Sequence, residues 1–163
     1  KIEKNVRRSM KKLLSACLFL VLLLCYSAEV KAADLQIIDG DTIILHGEKI
    51  RFSGIDTPEL KQTCSKEGQT IFCGILAKDV LTKKIGNQMP NCIKEGKDVY
   101  KRFLAECFVN GESLSRFLVR NGYAFAYRKY SKKYIKDEEY AKKRKLGIWS
   151  MKFKYPWEFR KTT

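Results

Sequence analysis

Ile38-Asp39-Gly40-Asp41-Thr42 and Arg51-Phe52-Ser53-Gly54-Ile55-Asp56-Thr57-Pro58-Glu59 decide how this chain folds, because each run borders a short apolar segment. Leu35 to Ile38, Asp41 to Leu45 and Lys49 to Ile55 read as three strands of one meander. Asp39-Gly40 is a strong two-residue hairpin signal, since a tight turn needs the positive φ that Gly and Asp tolerate. His46-Gly47-Glu48 is the second turn. With Leu45 opposite Lys49, Asp41 falls opposite Ser53, near the end of the third strand, and Asp56 follows just beyond it. Two carboxylates converging at the mouth of a sheet repel each other unless a cation lies between them. Hard oxygen ligands of this kind suit Ca²⁺ or Mg²⁺.

Downstream, Gly74 to Ile85 carries Ile75, Leu76, Val80 and Leu81 with lysines on the other face, a helix-like spacing. Ser113 to Arg120 and Tyr134 to Leu146 repeat the pattern, and Gly122 and Gly147 stand where helices commonly end in a left-handed residue. Met89 to Glu95 and Arg102 to Val109 read as a hairpin that puts Cys92 opposite Cys107. Cys64 and Cys73 are the remaining pair outside the N-terminal region, and their bond would close a short loop before the first helix. The spacings lack the C-x₂-C pairs that grip a tetrahedral zinc, which favours disulfides and an oxidising compartment.

Met10-Lys11-Lys12 leads into an apolar run from Leu13 to Tyr26 and then Val30-Lys31-Ala32-Ala33. This has the form of a secretory signal peptide over residues 1–33, with residues 1–9 as an over-extended start or lengthened n-region. The apolar run is shorter than the roughly 20 residues that span a bilayer, so cleavage is expected and no stable membrane association afterwards. Leu14-Ser15-Ala16-Cys17 looks like a lipoprotein box but lies too early in the run. The expected destination is a bacterial periplasm or the medium. Residues 34–150 are long enough for one domain, and 151–163 form a basic, aromatic tail. Of 163 residues, 33 are Lys or Arg and 18 Asp or Glu, a net charge of +15. Removing the leader's seven basic and two acidic residues leaves about +10. Runs such as Lys142-Lys143-Arg144-Lys145 are by themselves ordinary solvated faces, but alongside an acidic site and interleaved tyrosines the excess has the character of a nucleic-acid footprint.

The two opening runs, then Asp98-Val99-Tyr100-Lys101-Arg102, Leu118-Val119-Arg120-Asn121-Gly122-Tyr123-Ala124, and Ala141-Lys142-Lys143 through Leu146-Gly147-Ile148-Trp149, fall in one order from Leu35 to Trp149. In that order and spacing the chain resembles the staphylococcal nuclease (thermonuclease) family. The resemblance implies a mainly β fold with helices, an OB-fold five-stranded β-barrel plus three α-helices, which the short strands and inserted helix also suggest. It implies an exported nuclease acting on DNA and RNA, preferably single-stranded, dependent on Ca²⁺ ahead of Mg²⁺ or Mn²⁺, leaving 3′-phosphate ends. No obligate protein partner is implied.

Hydrolysing a phosphodiester requires a cation, guanidinium groups and a positioned water, because the transition state adds charge to an anion. Asp41 and Asp56 would be the metal carboxylates, with Asp39 behind them, and the resemblance adds the Thr57 carbonyl as a ligand. Glu59 would orient or deprotonate water, while Arg51 and Arg102 would grip the phosphate with planar forks. Tyr100 and Tyr127 match positions that line the family's nucleotide pocket. Each has a plainer reading: turn chemistry for Asp39, a cap acid at Glu59, a cross-strand ion pair at Arg51, an exposed strand cation at Arg102. The chain also departs from the family pattern, with Lys101 replacing a glycine and Val99 a basic residue. If that loop needs positive φ, Lys101 strains it by about 1 kcal/mol. The rival readings are an inactive nuclease-like module that binds nucleic acid or protein, and a cationic adhesion protein; the latter leaves the two acidic runs unexplained.

Overall fold

The computed structural model describes residues 34–162, and the expected leader over residues 1–33 lies outside them. The chain begins with strands β1 (Leu35–Ile37), β2 (Thr42–Leu45) and β3 (Glu48–Phe52). β2 and β3 turn on His46 and Gly47 alone, with φ of 50° and 77°. Positive φ at both central residues matches the twist of paired strands. This two-residue turn pairs Leu45 with Glu48 and Thr42 with Arg51, one residue away from the expected register. The first turn departs the other way. β1 and β2 pair Ile37 with Ile43, leaving a four-residue connection rather than a two-residue hairpin. Its Asp39 carboxylate accepts the Asp41 amide at 2.9 Å, and the Ile38 and Asp39 amides both donate to the Thr42 carbonyl. Gly40 serves close approach here, since a Cβ would lie 3.0 Å from both Thr57 and Ala77.

Next come β4 (Ile55–Asp56), the hairpin β5 (Thr63–Lys66) and β6 (Gln69–Phe72), and helix α1 (Cys73–Ile85). α1 buries Cys73, Gly74, Ala77, Leu81 and Ile85. Ile75, expected on that face, is instead 45% exposed, because a stripe through Ala77 and Leu81 leaves it on the outer side. β7 (Asn91–Lys97) and β8 (Phe103–Val109) follow, then β9 (Glu112–Ser113), α2 (Leu114–Arg120), β10 (Phe125–Ala126) and α3 (Ile135–Lys143). The Ser113 hydroxyl caps α2 by accepting the Arg116 amide at 3.1 Å. A short 3₁₀ turn, Gly147–Ser150, precedes a fourth helix, α4 (Pro156–Phe159), so the described residues hold four α-helices where three were expected.

The main sheet runs β1-β2-β3-β8-β7, with β9 on β8; β4 pairs with β10, and β5 with β6, in separate two-stranded ladders. β3 and β8 are parallel, and the other neighbours antiparallel. The architecture is mainly β with helices and OB-like, but no ladder joins β7 to β1 among the described residues, so the strand ladders do not close the expected barrel. Ile43, Ile50, Phe52, Leu81, Leu114 and Leu118 form the centre of one apolar core. A second cluster gathers Cys64, Cys73, Phe125 and Ile148 with tail aromatics. Among the described residues no helix is long and apolar enough to cross a membrane.

Cys92 and Cys107 face each other across β7 and β8 and are bonded, as are Cys64 and Cys73. A bulge beside Lys94 and Gly96 shifts the register only beyond the disulfide. The Cys92–Cys107 bond closes a span of 15 residues. Its replacement by two serines is expected to cost about 3 kcal/mol, read from urea unfolding of the oxidised protein. An unchanged midpoint would show that the pairing of β7 with β8 holds without it.

Candidate functional site

On β3, Ile50 and Phe52 enter the core, so Arg51 between them faces the other side. There its guanidinium reaches two acids. Nη1 donates to Asp41 Oδ1 and Nη2 to Asp56 Oδ1, each at 2.7 Å. Asp41 and Asp56 are 1% and 0% exposed. Removing two carboxylates from water is expensive unless charge and hydrogen bonds compensate. The Thr42 hydroxyl also donates to Asp41 Oδ1 and the Thr57 amide to its Oδ2. β10 pins the other acid, pairing Phe125 with Asp56.

The compensation is incomplete at Asp41. Burial pushes its carboxyl up to about 7; attraction to Arg51 opposes this, while the nearby Asp39 and Asp56 charges add to it. Burial disfavours charge on Arg51 as well, but Asp41 and Asp56 more than offset it and hold the guanidinium above its usual value. A centre of buried carboxylates with surplus negative charge is chemically suited to a hard dication. Among the described residues no three His, Cys, Asp or Glu side chains cluster to hold an ion. Asp41 and Asp56 would therefore need further oxygen ligands from the backbone, as at Thr57, or from water.

Glu59 is held through its backbone and its side chain separately. Its amide donates to Gln62 Oε1 at 3.3 Å and its carbonyl accepts the Gln62 amide at 2.7 Å. Gln62 is buried, and its carbonyl accepts the Cys73 amide while its Nε2 donates to the Lys154 carbonyl. α1 presses close at this point: a Cβ on Gly74 would sit 1.9 Å from the Glu59 carbonyl oxygen. The Glu59 carboxylate accepts Nη1 of Arg160 at 2.7 Å, and Arg160 also donates to both oxygens of Asp56, at 3.2 and 2.7 Å. Burial disfavours charge on Arg160, but hydrogen bonds to Asp56 and Glu59 raise its guanidinium above the ordinary range.

Arg102 stands on the β7–β8 loop, where Nε donates to Asp98 at 2.7 Å and the ring of Tyr100 lies 5.5 Å from its guanidinium carbon. Burial would raise Asp98, yet hydrogen bonds from Arg102 and the Tyr100 amide hold its carboxyl below the usual range. Tyr100 is 77% exposed. Tyr127 stacks on Trp157 with centroids 5.9 Å apart and planes 8° from parallel, so one face of its ring is covered by protein. Arg51, Glu59, Tyr100, Arg102, Tyr127 and Arg160 all line one cleft of about 980 Å³. A chain of hydrogen bonds thus links Asp39, Asp41, Arg51, Asp56 and Thr57, Glu59 joins them through Arg160, and Arg102 shares the cleft while paired to Asp98.

Gln62, Asp98 and Arg160 escaped the reading of the sequence. Asp98 was visible four residues before Arg102, a spacing that ion-pairs readily. Nothing local marks the bond from Gln62 to the Lys154 carbonyl or those from Arg160 to Asp56 and Glu59, whose partners lie far along the chain.

Compared with known proteins, residues 49–151 match the family model described as staphylococcal nuclease homologue. The chain is 32% identical over 127 residues to the succinoglycan biosynthesis protein ExoI of Rhizobium meliloti (strain 1021), covering 76% of this chain and 66% of that one. It is 31% identical over 116 residues to the staphylococcal-like nuclease CAN1 of Arabidopsis thaliana, covering 69% of this chain but 33% of the relative. An uncharacterized endonuclease of Haemophilus influenzae is 28% identical over 140 residues, with 82% of this chain and 74% of that protein covered. The chain therefore spans a third to three quarters of the length of these relatives.

Lys101 has a φ of 63°, the left-handed conformation that favours glycine. Its side chain is exposed, so Lys101→Gly removes strain and little contact. It is expected to stabilise the protein by about 0.5–1 kcal/mol in urea unfolding; a destabilised variant would mean that the lysine makes contacts outweighing its backbone strain.

Proposed function

The chain belongs to the staphylococcal nuclease family, and we propose that it is an exported, metal-dependent nuclease hydrolysing phosphodiester bonds in DNA and RNA. The observation that carries this reading is the Arg51 guanidinium held between buried Asp41 and Asp56 in the cleft that Glu59 and Arg102 also line. A divalent cation held by Asp41, Asp56 and the Thr57 carbonyl, Ca²⁺ ahead of Mg²⁺ or Mn²⁺, would supply stabilisation of charge developing on phosphate oxygens. Glu59 takes a proton from the water that attacks phosphorus. Arg51 and Arg102 bind non-bridging oxygens, their forks matching phosphate geometry. The bond to the 5′ oxygen breaks, which leaves a 3′-phosphate and a 5′-hydroxyl.

Lys49, Lys97 and Arg102 line the same cleft and supply sequence-independent attraction for a polyanion. Exposed Tyr100 offers a ring to an unstacked base, which supports single strands over duplexes and gives no base code. Two disulfides and the expected leader support export to an oxidising compartment.

A second reading has an observation in its favour. Glu59 and Arg102 are both neutralised within the protein, by Arg160 and Asp98. If those pairs persist with substrate, the domain binds nucleic acid and turns over slowly or not at all.

One assay separates the two. The oxidised protein is incubated with single-stranded DNA or RNA in Ca²⁺, Mg²⁺, Mn²⁺ or EDTA, beside Glu59→Gln and Arg102→Ala. The nuclease reading expects metal-dependent cleavage of both polymers and a loss of about a hundredfold or more in each variant. Tight binding without cleavage in any metal would establish the binding module.

A further inference from the structure

The C-terminal segment is anchored to the domain at several points. Lys152 bridges to Ser65 on the disulfide-closed β5–β6 hairpin through N–H···O bonds of 2.9 and 2.8 Å. Buried Gln62 donates to the Lys154 carbonyl at 2.7 Å. Tyr155 stacks on Trp157, with centroids 4.5 Å apart, and Trp157 stacks in turn on Tyr127. Pro156 at the first turn sets the start of α4, and Arg160 follows its end. Its guanidinium is thereby delivered to Asp56 and Glu59, with 37% of the side chain still exposed to the cleft.

Charge explains why an arginine there would do more than pack. Arg51 pairs with Asp41 and Asp56, Glu59 adds a third carboxylate, and Arg160, paired with Asp56 and Glu59, supplies a second positive charge for the group. A dication at Asp41 and Asp56 would repel that guanidinium and compete for Asp56 directly. The next anion within the same cleft is a phosphate of a bound strand, whose oxygens fit the fork that now spans two carboxylates.

We propose that Arg160 is a third phosphate-binding guanidinium of this site, held on Asp56 and Glu59 until a divalent cation at Asp41 and Asp56 displaces it. The inference rests on the metal-dependent reading above. It makes the C-terminal segment part of the substrate site, with Arg160 exchanging one anion for another.

The test uses the full oxidised protein and its Arg160→Ala, Arg160→Lys and Lys161→Ala variants. Ca²⁺ binding is measured by calorimetry without nucleic acid, and binding of a nuclease-resistant single-stranded phosphorothioate oligonucleotide is measured in Ca²⁺ across a salt series. Arg160→Ala should bind Ca²⁺ roughly three- to tenfold more tightly, because a competing cation is gone. In Ca²⁺ its oligonucleotide affinity should fall, and the slope of log K against log salt should shrink by about 0.7, one phosphate contact on a single strand. Arg160→Lys should keep most of that slope, which guards against a folding defect in the alanine variant. Lys161→Ala removes the same charge one residue later and should leave Ca²⁺ affinity unchanged. Ca²⁺ affinity in Arg160→Ala equal to or below wild type, or a slope loss no larger than that of Lys161→Ala, overturns the proposal while leaving the nuclease reading intact. A wild-type protein that binds no Ca²⁺ overturns the proposal, and one that binds none of Ca²⁺, Mg²⁺ or Mn²⁺ overturns both.

Discussion

Two buried carboxylates share one guanidinium, and most of the site follows from that. Asp41 and Asp56 have almost no contact with water, and Arg51 is hydrogen-bonded to each. Losing one partner of such a group strands a charge in a poorly solvating place, so the fold must deliver all three side chains together. The two-residue turn at His46 and Gly47 does this for the first pair. It places Thr42 opposite Arg51, next to Asp41, with Ile50 and Phe52 directed into the core. A slip of one residue would exchange the two faces of β3 and send Arg51 into the apolar interior.

Asp56 depends on a different part of the chain. Its short strand pairs with β10, which lies between α2 and α3, so the acid's position is tied to the packing of those helices. Beyond it, Gln62 links the Glu59 turn to α1 and to the tail, and the missing side chain at Gly74 permits the contact between α1 and the Glu59 backbone. The Cys64–Cys73 bond lies in this same region, at the join of the β5–β6 hairpin and α1. It stiffens the scaffold from which Glu59 and the C-terminal segment are both hung.

The tail changes the electrostatics as well as the shape. Asp41, Asp56 and Glu59 bring three carboxylates to the group that holds Arg51, and Arg160 adds a second guanidinium to it. The β7–β8 loop holds a separate ion pair. Asp98 receives the side chain and amide of Arg102, and Lys101 takes a left-handed conformation to close the turn. In the proposed mechanism, phosphate binding by Arg102 would compete with this formed ion pair.

What could be read in the sequence was local. Hydrophobic spacing located three helices, and the symmetry of one hairpin placed Cys92 opposite Cys107, because periodicity and strand pairing act over a few residues. The order of short motifs from Leu35 to Trp149 marked the family, and the acids and arginines in them marked a candidate site. Turn geometry was less legible. The chain spends four residues where Asp39-Gly40 signalled a two-residue turn, because Gly40 is needed for closeness to Thr57 and Ala77. The parallel pairing of β3 with β8, the burial of Gln62 and the meeting of Arg160 with Asp56, 104 residues apart, left no local trace. Such contacts are chosen by how the folded elements pack and by which buried charge needs a counter-ion. Sequence alone determined the family, three of the helices and which charged side chains were available; the tertiary structure decided which charges meet, because desolvation gives those charges a partner only after the chain has closed around them.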